Sequence, residues 1–245
     1  MPFYEREDKL LHILENCEII SLTELSEKLF ISLPTLRRDL IKLEKKDLIV
    51  RLHGKVQLKR NSADTKIPFS LRTEEQNEAK NIMAKIAVSH IKDGDTIMLD
   101  ASTSAYSIVP YLTDFKDIIV ITSGAKTALL LAHYNIPNIC TGGKMINESF
   151  SYIGGSAIST ISRYNADVAF FSCRGLSLDG SISDNSIEEN DVRRTMMNQS
   201  KKNILLCDGT KIGKTYLNNL CTASDLDEII SNINLPETIS KLLYK

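Results

Sequence analysis

Residues 32–42 read Ser32-Leu33-Pro34-Thr35-Leu36-Arg37-Arg38-Asp39-Leu40-Ile41-Lys42, which brings two hydroxyls, two guanidiniums and an ammonium into one short stretch. A guanidinium offers a planar fork of donors that matches a phosphate or the O6/N7 edge of guanine, and an ammonium holds a phosphate as a point charge. That set suits an anionic polymer. A second set is Asp100-Ala101-Ser102-Thr103-Ser104. Three consecutive hydroxyls at the start of a helix, with unpaired backbone N–H groups and a favourable dipole, suit a phosphate. Ordinary N-capping needs only one of them, so the run by itself leaves both readings open. A third set, Asp208-Gly209-Thr210-Lys211, adds a carboxylate and an ammonium. None of the three supplies a convincing acid/base pair for catalysis.

The first set needs a rigid helix to present it. Leu10, Ile13, Leu14 and Cys17 recur at helical spacing and predict a first helix over 5–17. Ser21-Leu22-Thr23-Glu24 has the form of a capping box, in which the serine hydroxyl accepts from the third backbone N–H and Glu24 reaches back to the cap. Leu22, Leu25 and Leu29 then form the buried stripe of a second, short helix. Ser32 is another N-cap, and Pro34 is tolerated in the first turn of a third helix that buries Leu33, Leu36, Leu40 and Leu43. At 100° per residue Arg38 lies opposite those leucines, with Thr35 and Lys42 next to it and Arg37 on the flank. Two apolar runs about His53-Gly54 read as a β-hairpin carrying Arg51 and Lys55. Short capped helices, the last with a basic outer face, followed by a hairpin wing, are what a winged helix-turn-helix requires.

Charge placement agrees. Residues 1–30 hold 3 basic and 7 acidic groups, whereas residues 31–60 hold 9 and 3. The whole-chain value of -1 therefore conceals a compact basic block, and a block of that kind implies a local anionic partner.

The run from Ser32 to Leu40, with Leu43 and the Arg51-Leu52-His53-Gly54 wing, closely resembles the winged helix of the DeoR family of bacterial transcription regulators. The resemblance covers residues 5–58. It implies double-stranded operator DNA as partner, with Ser32, Thr35, Arg37, Arg38 and Lys42 on the recognition helix and Arg51, His53 and Lys55 on the wing as contacts.

Residues 59–73 are polar and aperiodic and read as a linker, so the domains expected are 1–58, the linker, and 74–245. A helix follows to about Lys92, with Met83, Ile86, Ala87, His90 and Ile91 on its apolar stripe. Apolar runs at 96–100, 118–122, 138–141, 167–173 and 203–208 then alternate with helical segments around 103–112, 124–134, 157–164 and 188–200. The fold class expected is α/β, a mostly parallel sheet with helices on its faces. Each predicted strand ends in small, hydroxyl or charged residues, and the carboxyl ends of such strands are where open α/β sheets bind ligands. This part resembles the DeoR sensor domain, whose fold is similar to ribose-5-phosphate isomerase and CoA transferases. The matching segments are Asp93–Asp100 with its hydroxyl loop, Gly142-Gly143, Phe170–Leu176 and Asp208–Lys214. The resemblance implies a phosphorylated sugar or related metabolite as effector. Ser102, Thr103 and Ser104 would hold its phosphate, and Lys211 would add positive charge. Asp100, Ser123, Arg174, Asp179 and Asp208 would contact sugar hydroxyls, and Gly143 would line the pocket. The family loop often has Gly at the place of Ser102 and Thr at that of Ser104.

Other functions are excluded or disfavoured. No window approaches the roughly 18 apolar residues of a membrane helix, and the start lacks a signal-peptide pattern, so a cytoplasmic setting is expected. Five scattered cysteines without a CxxC pair argue against a disulfide framework or zinc, and Cys173 and Cys207 read as small core residues. His12, His53, His90 and His133 show no metal-ligand spacing. The segment Asp208–Thr215 differs from a phosphate-binding P-loop by having Asp where the first Gly belongs, and that carboxylate would repel phosphates. Glu189 falls in the acidic first turn of a helix, with the pocket lining as its other reading. The expectation is a non-enzymatic, homo-oligomeric regulator without cofactor, a repressor of carbohydrate genes by resemblance. The competing reading is a sugar-phosphate isomerase or CoA transferase-like enzyme.

Overall fold

The computed structural model describes residues 3–15, 17, 19–46, 48–52, 54–58 and 69–243. It divides into two compact units, Met1–Glu75 and Gln76–Lys245.

The N-terminal unit runs α1 (Phe3–Glu15), β1 (Ile20–Ser21), α2 (Leu22–Leu29), α3 (Leu33–Lys45), β2 (Ile49–Leu52), β3 (Lys55–Leu58) and α4 (Phe69–Glu74). Ser21 caps α2 by accepting from the Glu24 N–H at 3.2 Å. The expected return bond of the capping box is replaced by an ion pair of Glu24 with Lys28 one turn on, at 3.2 Å. Ser32 caps α3 and Pro34 occupies its first turn. Leu10, Leu14, Leu25, Leu36, Leu40 and Leu43 interlock in the core, while Leu33 sits at its edge, half-buried. Strands β2 and β3 form the antiparallel wing, with β1 paired on the far side of β3. Gly54 takes φ +70 at the tip, a conformation that costs glycine little. His53 and residues 59–68 lie outside the described residues.

Residues 69–73, expected as linker, are instead helical and belong to α4 of this unit. The reason is local: Phe69 buries its ring, Arg72 lies over that ring at 5.8 Å, and the Thr73 hydroxyl donates back to the Phe69 carbonyl.

The larger unit opens with α5 (Asn77–Ala87) and a 3-10 turn at Val88–His90. Met83, Ala87 and Ile91 are buried as expected, but Ile86 faces solvent and His90 is only half-buried. Then follow β4 (Thr96–Leu99), α6 (Thr103–Tyr106), β5 (Ile119–Thr122), α7 (Ala125–His133) and β6 (Asn138–Cys140). After these come the hairpin β7 (Lys144–Ile146) and β8 (Ser151–Ile153), α8 (Gly155–Ile161), β9 (Val168–Ser172), β10 (Gly175–Leu176) and β11 (Ser181–Asp184). The chain continues through α9 (Ile187–Asn198), β12 (Asn203–Leu206), β13 (Asn218–Thr222), β14 (Glu228–Ile230) and α10 (Glu237–Leu243). One parallel sheet carries the order β14-β12-β9-β4-β5-β6, so the fold class is α/β as expected. All five expected strands are in it; β14 is an addition. Alternate residues face opposite layers. Met98, Phe171 and Leu205 pack with Ile161, Val192 and Met196, while Ile97, Phe170 and Leu206 pack with Met83, Ala87 and Leu131. A small antiparallel sheet, β10-β11-β13, stands beside the carboxyl end of β9.

Candidate functional site

Contacts on three sides of α3 fix what its remaining side presents. Leu36, Leu40 and Leu43 enter the core. Asp39, buried, accepts from Arg6 of α1 through Nε at 2.7 Å and Nη2 at 3.0 Å. Glu44 pairs with Arg51 of the wing at 3.4 Å. The helical wheel then leaves Pro34, Arg38, Ile41 and Lys45 outward, with Arg37 and Lys42 beside them, and all six are exposed. Ser32 is exposed and Thr35 half-buried, their hydroxyls 2.9 Å apart. Lys55 is exposed on β3. Arg51, expected as a wing contact, is spent in part on Glu44, which braces the wing against the helix. Asp39 and Arg6 escaped the sequence reading, although a carboxylate next to Leu43 at the edge of the leucine stripe on the wheel was a visible sign.

In the larger unit, the sheet order brings the expected strand ends side by side. Along the carboxyl edge come Asp208 and Lys211 after β12, Ser172 at the end of β9 with Cys173 and Arg174 following it, the Asp100–Ser104 loop after β4, Ser123 after β5 and Gly143 after β6. Successive strands run outward from β4 to one side and from β9 to the other, so the topological switch point lies between β4 and β9. Open α/β sheets bind ligands in that crevice.

A buried charge network spans it. Arg193 of α9 donates to Asp100 at 2.9 Å, to Asp184 at 3.0 Å and to the Asn190 side-chain carbonyl at 3.1 Å. Burial pulls the Arg193 pKa down, but Asp184 and Asp100 more than reverse it, and the guanidinium stays charged. Arg174 adds a second cation 3.5 Å from Asp184. Asp100 also accepts from the Ser102 N–H at 3.0 Å and the Ser172 N–H at 3.2 Å. Asp100, expected to contact a ligand, therefore has both oxygens committed to framing the loop. Ser172 receives Lys211 Nζ at 2.9 Å on its hydroxyl, and Lys211 also pairs with Asp208 at 3.3 Å. Burial opposes ionisation of Asp208, yet Lys211 and the Thr210 hydroxyl hold its pKa below the ordinary 3.8.

Ser102 resolves the ambiguity of the hydroxyl run for itself, since its Oγ caps α6 by accepting from Ala105 N–H at 3.1 Å. Thr103 and Ser104 are left for other work, and Ser104 Oγ is buried with no protein partner. Thr141 and Ser149 likewise bury unpartnered hydroxyls at or beside the ends of β6 and β7. Gly143 takes φ +116, and a Cβ there would meet the Ile153 carbonyl at 2.8 Å, so the approach of the β7–β8 hairpin requires glycine. Ser123 is buried, its carbonyl receiving Tyr152 N–H at 2.7 Å. Asp179 does not join this group. It closes the turn between β10 and β11, accepting from Ser181 N–H at 2.9 Å, at the opposite end of the hairpin from Arg174 and Asp184. Glu189 is half-buried and adds charge near Arg193.

Arg193, Asp184, Ser172 and Asn190 were missed by sequence reasoning. Arg193 shares a helix face with Val192 and Met196, which was the available signal. Cys173 and Cys207 follow paired positions of adjacent strands and are buried core residues, as expected. Hydrogen bonding from Cys207 draws the Cys173 thiol pKa down, and the same bond with burial pushes Cys207 up. Burial pushes Cys221 up to about 12.

The chain matches the DeoR-like helix-turn-helix domain over residues 6–61 and the DeoR C-terminal sensor domain over residues 75–232. It is 33% identical to the HTH-type transcriptional regulator GolR of Listeria innocua, covering 99% of this chain and 94% of that protein. It is 25% identical to the glycerol-3-phosphate regulon repressor of Escherichia coli, with coverage of 98% and 94%. With the L-fucose operon activator of Haemophilus influenzae it shares 29% identity, over 90% and 88% of the two chains. Among solved structures, a chain of the tetrameric eIF2B-beta2-delta2 complex from C. thermophilum shares the fold at TM-score 0.51 and 19% identity, covering 67% of this chain and 58% of that one. Ribose-5-phosphate isomerase A from Methanocaldococcus jannaschii aligns at TM-score 0.43 and 17% identity, over 56% and 54%. The relatives carry the names of regulators, so the enzyme reading is set aside. No helix of the described residues is long and apolar enough to cross a membrane. Both domain models together span most of the chain, and it belongs to the DeoR family of helix-turn-helix transcriptional regulators.

Proposed function

We propose that α3 reads operator DNA in the major groove and that a phosphorylated sugar, seated between the ends of β4 and β9, alters that binding. Arg37 and Arg38 supply forked donors to base edges or phosphates, Lys42 and Lys55 hold phosphates, and Ser32 and Thr35 lie at the helix start where backbone approach is closest. The observation that carries the effector reading is one hydrogen-bonded chain. Lys211 donates to Ser172, whose N–H meets Asp100, whose other oxygen holds Ser102 N–H. The network thus ties an ammonium to the loop that carries Thr103 and the unpartnered Ser104 hydroxyl.

Around it the ion-paired charges balance, Arg174, Arg193 and Lys211 against Asp100, Asp184 and Asp208, and Glu189 near Arg193 adds one further negative charge. A phosphate alone therefore gains little from net charge, and the buried hydroxyls favour a ligand that also carries hydroxyls. Effector binding and DNA binding are linked, so each changes the other's affinity by the same factor. We take the regulator to be a repressor acting as a homo-oligomer in the cytoplasm, since a basic patch confined to one small domain needs two heads on one site for tight binding.

The test is a thermal-shift screen of phosphorylated sugars followed by an operator-binding titration with each hit. A ligand at 100 times its dissociation constant stabilises by about 2.7 kcal/mol. The same titration with Arg38→Ala is expected to lose about 1–3 kcal/mol of operator affinity. A panel that moves neither melting temperature nor operator affinity removes the sugar-phosphate reading.

A further inference from the structure

We propose that Ile41 is a specificity-determining residue that reads thymine methyl groups in the operator's major groove, an inference that rests on α3 being the DNA-reading helix. Ile41 lies outside the apolar cluster of its domain, and 43% of its surface is exposed. Its direction is fixed by its neighbours on the same helix. Leu36, Leu40 and Leu43 point inward, Asp39 turns to Arg6 on one flank and Glu44 to Arg51 on the other. Ile41 is one turn from both Arg38 and Lys45, on the outward face, between Arg37 and Lys42. A β-branched apolar side chain at the middle of a cationic face leaves apolar surface in water unless its partner covers it. The cations around it select a polyanion, and the major groove of DNA is a polyanionic surface that also presents an apolar group, the C5-methyl of thymine. Arg38 and Ile41 together would then read neighbouring positions, one by hydrogen bonds and the other by apolar contact.

The experiment starts from duplexes enriched from a random pool by the full chain. Each thymine of the enriched site is replaced in turn by deoxyuridine, which removes only the methyl. Wild-type protein is expected to lose about fourfold in affinity at one or two positions, the effect of one buried methyl-sized group. Ile41→Ala is expected to bind thymine and deoxyuridine equally at those positions. Ile41→Gln, whose amide pairs with adenine, is expected to enrich a site changed there and unchanged elsewhere. Both variants replace an exposed side chain by a good helix former, and an unchanged melting temperature confirms that they fold. Deoxyuridine effects identical in wild type and Ile41→Ala would overturn the proposal, as would their absence. Failure of wild type to enrich any sequence would instead sink the DNA-reading function of α3, and this inference with it.

Discussion

Asp39 on α3 and Arg6 on α1 form a two-pronged ion pair, at 2.7 and 3.0 Å, on the inner flank of the helix that carries Arg37 and Arg38. The bond sets the angle of α3 on its domain, because a bidentate fork fixes direction as well as distance. Asp39→Ala is expected to lower the melting temperature of the N-terminal transition and to weaken operator binding about tenfold, the order expected when a contact helix is misplaced. Arg6→Lys is expected to rescue poorly, since an ammonium cannot reproduce the fork. Operator titrations of the two single variants and the double variant check this. Strictly additive losses would mean that the pair does not act as a unit.

Arg193 stands between Asp100 and Asp184 with little solvent access. Arg193→Met leaves two buried carboxylates without their shared cation, and removing one member of such a group costs about 3–5 kcal/mol. Thermal unfolding of the larger domain should fall by about ten degrees. Adding Asp184→Asn removes one of the stranded charges and is expected to restore part of the loss. Calorimetry of the three proteins decides it, and a double variant less stable than Arg193→Met would show that the charges are not coupled.

The parallel strands were legible because each is a short apolar run buried on both faces, such as Val168–Ser172. The helix-turn-helix was legible because caps and leucine stripes are local signals. The small sheet β10-β11-β13 was not, since Ser181-Ile182-Ser183-Asp184 reads as a polar loop until Asn218–Thr222 pairs with it. The place of Asp184 beside Arg193 became visible only with that pairing. Their partner Asp100 lies 93 residues from Arg193 in sequence, and no local pattern encodes a contact at that range. Asp179 shows the converse: its type suited a sugar contact, yet its place is a turn.

Asp208 gives a pH signature. Its folded pKa is lowered, so it contributes stability that is full above the ordinary carboxylate pKa of about 4 and is lost as pH falls through the lower folded value. Asp167 is lowered in the same sense, by the hydrogen bond from Lys201 and the Thr96 N–H. The difference in melting temperature between wild type and Asp208→Asn is expected to be constant from neutral pH to about 5 and to shrink below about 4. A difference that grows on acidification would reverse the assignment.

Lys211 tests the sensor separately from the DNA-binding domain. Its ammonium has three donors, of which two are committed, to Ser172 at 2.9 Å and to Asp208 at 3.3 Å. A third remains for a ligand oxygen. Lys211→Met keeps much of the aliphatic stem, removes the charge and leaves Asp208 with its Thr210 bonds, so the fold should survive with a modest loss of stability. Operator affinity without effector is expected to match wild type, because the substitution is outside the DNA-binding domain. The effector concentration needed for half-response should rise by tenfold or more, roughly the worth of one charge-assisted hydrogen bond of about 1.5–3 kcal/mol. Operator titrations across a range of effector concentrations check both halves of this expectation. A normal half-response would place the phosphate away from Lys211. Weakened binding without effector would show instead that the Lys211–Ser172–Asp100 chain biases the DNA-bound state even when the pocket is empty.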